Sequence, residues 1–88
     1  MTASEMIEYR DKKLGPQFTM KQVAAYLDLG SRATAHRTMT NRISDALDGY
    51  TPAERLEILE GKGVRFSIGG RQVWVGIRNG RKVYRIRG

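Results

Sequence analysis

The residues best suited to chemistry in this sequence are arginines, and they are unevenly placed. Residues 61–88 hold Lys62, Arg65, Arg71, Arg78, Arg81, Lys82, Arg85 and Arg87 and no acid, whereas residues 1–60 hold eight bases against all nine acids. A guanidinium grips phosphate or carboxylate through two parallel hydrogen bonds and can read a base edge, so acid-free basicity points to a polyanionic partner. A second polar set, Arg32, His36, Arg37, Thr40 and Asn41, recurs at helical spacing. Other chemistry-bearing types are scarce. With no cysteine and one histidine, the chain has neither a disulfide framework nor the ligands of a common zinc site. No paired carboxylates, nucleophile–base spacing or phosphate-cradling glycine loop before a helix marks a catalytic centre, so the expectation is a non-enzymatic protein without metal or cofactor. His36, alone on a polar helix face, is read as a solvated or phosphate-touching group.

The elements that must position these residues are legible from period and punctuation. Eighty-eight residues make a single domain, a helical half over 1–61 and a basic β-meander over 62–88. Thr2 or Ser4 caps a first helix, with Met6, Ile7 and Leu14 as a sparse apolar stripe and Gly15-Pro16 as the stop. Thr19 with Gln22 forms a capping box for a short helix that turns Val23, Ala24, Leu27 and Tyr26 inward. Asp28-Leu29-Gly30 is a turn, with Gly30 suited to a left-handed conformation. Ser31 caps a third helix whose Ala35, Met39, Ile43, Ala46 and Leu47 share one face. Thr51-Pro52-Ala53-Glu54 starts a fourth, with Leu56 and Leu59 inward and Gly61-Lys62-Gly63 as its end.

Beyond Gly63 the period changes from 3.6 to 2, which predicts three strands joined by two-residue turns at Gly69-Gly70 and Asn79-Gly80. The overall expectation is an α+β fold, with about four helices packed on a three-stranded antiparallel meander. The turns fix the register, setting Trp74 opposite Arg65 and Arg85. Val64, Phe66, Ile68, Val73, Val75, Ile77, Tyr84 and Ile86 then form the core face. The other face carries Arg65, Ser67, Gln72, Trp74, Gly76, Arg78, Arg81, Val83, Arg85 and Arg87. Five arginines gathered on one surface repel each other, so a face left bare implies a function that demands it. For Trp74 alone, a second explanation is that Arg65 and Arg85 lie over its ring as cation–π covers.

The run Gln22-Val23-Ala24-Ala25-Tyr26-Leu27-Asp28-Leu29-Gly30-Ser31-Arg32-Ala33-Thr34-Ala35-His36-Arg37 resembles the helix-turn-helix of bacterial and phage DNA-binding proteins, over about 25 residues from Thr19 to Ile43. With the hairpin that follows, the chain is similar to the winged helix-turn-helix superfamily. The resemblance implies that Arg32, Ala33, His36, Arg37 and Asn41 face DNA bases or phosphates, and that Ser31 and Thr34 touch phosphate at a helix N-terminus. It implies a wing tip at Arg78-Asn79-Gly80-Arg81. The chain departs from the family in four ways: Asp28 where the turn usually has glycine, a turn about one residue longer than the commonest form, a helix after Thr51 that separates recognition helix from wing, and at most Gln17-Phe18 for the first strand.

The expected partner is therefore double-stranded DNA, bound by a small transcriptional regulator, with a homodimer as the expected assembly. Two alternatives stay open. Arg65, Trp74 and Arg85 could hold RNA or another single strand by stacking and charge, or the basic sheet could dock on an acidic protein as a phage-type inhibitor or adaptor. No apolar run suggests a membrane span or a leader, and a cytoplasmic protein is expected.

Overall fold

The computed structural model describes all residues from Met1 to Gly88. Its elements are α1 (Ala3–Lys12), β1 (Gln17–Phe18), α2 (Met20–Tyr26), α3 (Arg32–Ala46), α4 (Pro52–Glu60), β2 (Val64–Ile68), β3 (Arg71–Arg78) and β4 (Arg81–Arg87). The fold is α+β, with four helices and one antiparallel sheet in the order β1-β4-β3-β2.

Each helix begins where a hydroxyl can accept from the backbone. Thr2, Thr19, Ser31 and Thr51 bond the N–H groups of Glu5, Gln22, Thr34 and Glu54, and thereby satisfy donors that a helix start leaves open. In α2 and α4 the box is reciprocal, because Gln22 and Glu54 accept from the N–H of Thr19 and Thr51.

The strand register is the expected one, with Trp74 between Arg65 and Arg85 and Val75 between Val64 and Tyr84. Both turns use positive φ at both central residues, 57° and 80° at Gly69 and Gly70, 55° and 74° at Asn79 and Gly80. The sheet, however, has four strands rather than three. Gln17 and Phe18 pair with Arg85 and Tyr84 and add β1 at the β4 edge. A strand this short has no alternation to read. It lies against β4 because Gly15, at φ 106°, passes so close that an added β-carbon would sit 2.7 Å from the carbonyl oxygen of Ile86.

One side of the sheet packs Val64, Val73, Val75, Tyr84 and Ile86 on Val23, Ala24, Ala35, Met39, Ile43, Leu47 and Leu59. Four helix assignments fail. Met6, Tyr26 and Ala46 are exposed, as is Leu56 at 49%. Helix α4 buries Leu59 and half-buries Ile58, and Leu56 projects about 160° away from Ile58 around the helix axis.

The largest correction concerns the other side of the sheet, which is not bare. Helix α1 and the segment following α4 lie across it. Trp74 is 3% exposed and Val83 8% exposed. The Trp74 indole N–H donates to the Lys62 carbonyl at 2.9 Å. The ring is wedged between two glycines, since a β-carbon on Gly63 or Gly76 would lie 2.5 or 2.4 Å from its atoms.

Candidate nucleic-acid interface

Helix α3 is held from below by its apolar stripe and from its N-terminal side by the turn that ends α2. Asp28 adopts φ 54°, a left-handed conformation. The Asp28 and Leu29 N–H groups bond the carbonyls of Ala25 and Ala24 at 3.4 and 2.9 Å. That pair of bonds is a Schellman stop, with aspartate doing what glycine usually does. Gly30 is also left-handed, at φ 87°, so two reversals on either side of Leu29 set the chain up for the Ser31 cap.

The outward face of α3 consists of Arg32, Ala33, His36, Arg37, Thr40, Asn41 and Ser44, all exposed. None of their side chains makes a hydrogen bond or ion pair within the molecule. Ser31 and Thr34 are less free than expected. The Ser31 hydroxyl caps Thr34 N–H at 3.2 Å and also donates to Thr34 Oγ1 at 3.1 Å. Their oxygens are engaged in building the helix start.

The C-terminal end of α3 shares a cleft with the beginning of β2, through Ala46, Leu47, Val64 and Arg65. Its N-terminus therefore points toward the Gly69-Gly70 turn at the other end of β2. Just past that turn, the Arg71 guanidinium lies 4.0 Å above the ring of Tyr26, the last residue of α2, and donates to the Gly88 carbonyl at 3.0 Å. The Asn79-Gly80 turn belongs to the opposite end of the sheet, where Asn79 lines a cavity with Ser4 of α1. Successive turns of a meander must alternate ends, so the expected wing tip at Arg78-Asn79-Gly80-Arg81 is the wrong one for α3.

The arginines assigned to the second sheet face separate into two groups. Arg78 is committed: it makes a two-pronged ion pair with Asp11, at 2.8 and 3.1 Å, and Asp11 is 4% exposed. It also donates to the carbonyls of Glu60 and Gly61 at 2.8 and 3.1 Å and lies 5.2 Å from the Trp74 ring. It thus satisfies the open C-terminal carbonyls of α4 with a cation. Arg85 is half-buried and donates to the Gly15 carbonyl at 2.8 Å. Trp74, Arg78 and Arg85 are therefore structural here, and the cation over the indole is Arg78, not Arg65 or Arg85. Arg65, Arg81 and Arg87 remain exposed.

Sequence reasoning missed Arg71, and also Lys21, which is exposed in the first turn of α2. Arg71 could have been found by asking which turn lies beside the start of α3. The groups with displaced proton affinities lie outside this surface. Burial raises the Tyr84 phenol above 10.0, and the Thr51 backbone N–H, aided by its side chain, holds Glu54 below 4.5. No helix is long and apolar enough to cross a membrane. Comparison with protein-family models, with curated proteins and with solved structures returns no match.

Proposed function

We propose that the chain binds double-stranded DNA as a small regulator of the winged helix-turn-helix type, with α2 and α3 as the motif and α3 in the major groove. The observation that carries this reading is the exposed stripe Arg32-His36-Arg37-Asn41, polar or cationic throughout and unpartnered within the molecule. Solvated charges on a helix are common, but here a deliberately built turn sets them at the helix start. Support also comes from the order of elements, helix, short strand, helix pair and hairpin, and from the left-handed Asp28 in the turn. In this reading the wing is the Gly69-Gly70 turn, and Arg71 is its backbone-contacting cation.

Burial of Trp74 removes the stacking platform from the single-strand alternative. Commitment of Arg78 and Arg85 reduces the cations free to meet phosphates, so about four contacts per protomer (Lys21, Arg32, Arg37 and the donors that Arg71 does not spend on Gly88) give a log–log salt slope of roughly −3 to −4 per half-site, and about twice that for a homodimer on both. The test is selection of bound duplexes from a random library with single-stranded RNA as competitor. A palindromic consensus is expected, since a homodimer reads two half-sites, and Arg32→Ala with Arg37→Ala should erase it. A slope near −1, or no enrichment, overturns the reading.

A further inference from the structure

With α3 turned toward DNA, Arg65 and Arg87 have no part in the interface. Both share the face of Trp74, opposite the core face that packs on α3, and where Arg65 reaches round the β2 edge it meets only the C-terminal end of α3, far from the stripe that starts at Arg32. Together with Leu14, Gln72, Val73 and Trp74 they line a cleft of about 160 Å³ where the chain leaves α1. That volume holds several waters at ~30 Å³ each.

No acid lines this cleft. Asp11 is taken by Arg78, and Glu8 lies 3.5 Å from Lys12 on the outside of α1. Arg65 has no hydrogen bond or ion pair in the molecule, and Arg87 has one long bond, 3.4 Å, to the carbonyl of Lys13. Two guanidiniums thus line one cleft with no carboxylate beside them, and their donors are open to an anion. Arg65 and Arg87 stand on β2 and β4 with β3 between them, so at ~4.8 Å per strand their backbones are about 10 Å apart across the sheet. Two cations set that far apart suit successive phosphates of one strand better than a single small anion.

We propose that this cleft binds the phosphodiester backbone of a second nucleic-acid segment while α3 holds a first, so that one protein bridges two duplexes. The inference rests on the DNA reading of α3 only for the first duplex. Arg65 and Arg87 are exposed, so Arg65→Gln/Arg87→Gln should leave thermal unfolding unchanged.

The experiment uses mixed-sequence 30-base-pair duplexes, one kind on beads and one fluorescent, at about 50 mM salt, where phosphate contacts are strong. Wild-type protein should carry the fluorescent duplex onto the beads. The double variant should lose at least tenfold of that capture while its affinity for a single duplex, read by anisotropy, falls less than threefold. Arg32→Ala/Arg37→Ala should instead weaken single-duplex binding. Capture that survives in the Arg65/Arg87 variant overturns the proposal, because a dimer holding one duplex on each α3 would then explain it. So does single-duplex binding without capture by wild type, or a single-duplex loss in that variant as large as in the α3 variant. Unchanged single-duplex binding in the α3 variant would count against the α3 reading alone.

Discussion

The sheet is closed on both sides, but by different means. Toward α2 and α3 it is closed by aliphatic packing, and Val75 and Met39 are fully buried. Toward α1 it is closed by Trp74 and Arg78, side chains with an apolar body and a polar tip. Trp74 delivers its N–H to Lys62 and Arg78 its guanidinium to Asp11 and the last carbonyls of α4. An arginine on a strand is therefore no sign of a solvated face, because its long stem can lie under a helix while its head finds acceptors at the margin. The α3 stripe is the contrasting case, with arginines of the same type that have no acceptor in the molecule.

The sharpest way to test this contrast is to remove the tryptophan. Trp74→Ala is expected to cost about 3–5 kcal/mol, the range for emptying a large buried aromatic site, out of roughly 5–15 kcal/mol in total. Urea unfolding followed by circular dichroism measures it. A loss under about 1 kcal/mol would mean that the α1 side is a surface after all.

Next in size is the ion pair. Asp11→Asn leaves a part-buried guanidinium without its carboxylate, and about 3 kcal/mol should go. Asp11→Leu with Arg78→Met should recover part of that loss, since an apolar pair of similar volume needs no desolvation of charge. Recovery will be incomplete if the carbonyls of Glu60 and Gly61 lose their donor, and that residue measures the capping half of Arg78's role.

On α3 the outcome should invert. Arg37→Ala is expected to leave the unfolding midpoint within about 0.5 kcal/mol of wild type and to weaken duplex binding by about 1–3 kcal/mol. Anisotropy titration beside the urea curve reads both. A stability loss matching that of Asp11→Asn would show Arg37 to be another structural arginine and remove the contrast.

Period and turn chemistry were enough to read the caps, the strand register and the core face, because each is decided within a few residues. Phe66, Val73 and Tyr84 follow from alternation alone, and Asn79-Gly80 from its backbone demand. What covers the second face was not legible. It depends on α1 and the turn after it, whose covering groups are Ile7, Leu14 and a carboxylate 67 residues from its partner. A helix with so weak an apolar stripe gives no signal of where it packs, and an aspartate looks the same in sequence whether it is solvated or buried. Leu56 failed similarly, since a nine-residue helix offers too few turns to fix its buried side. The stripe on α3 was legible because fifteen residues repeat one pattern four times.

The smallest effect distinguishes two helix starts built on one plan. The capping boxes of α2 and α4 differ in their third residue, Gln22 in one and Glu54 in the other, so only the second can titrate. The Thr51 backbone N–H, bonded to Glu54 at 2.9 Å, favours the ionised carboxylate and lowers its pKa from 4.5. The folded state thus binds this proton less readily than the unfolded chain does. Its contribution is present above pH 4.5 and is lost as pH falls through the lower folded value. Glu54→Gln keeps an acceptor for Thr51 and should flatten that part of the acid limb. Helix α4 leads directly into Lys62 and Gly63, the groups that seat the indole. Fluorescence of Trp74 during unfolding, at pH 6 and again near pH 3.5, therefore reports the loosening on the α1 side of the sheet. Equal acid sensitivity in wild type and Glu54→Gln would show that the α4 box adds nothing to closing that face.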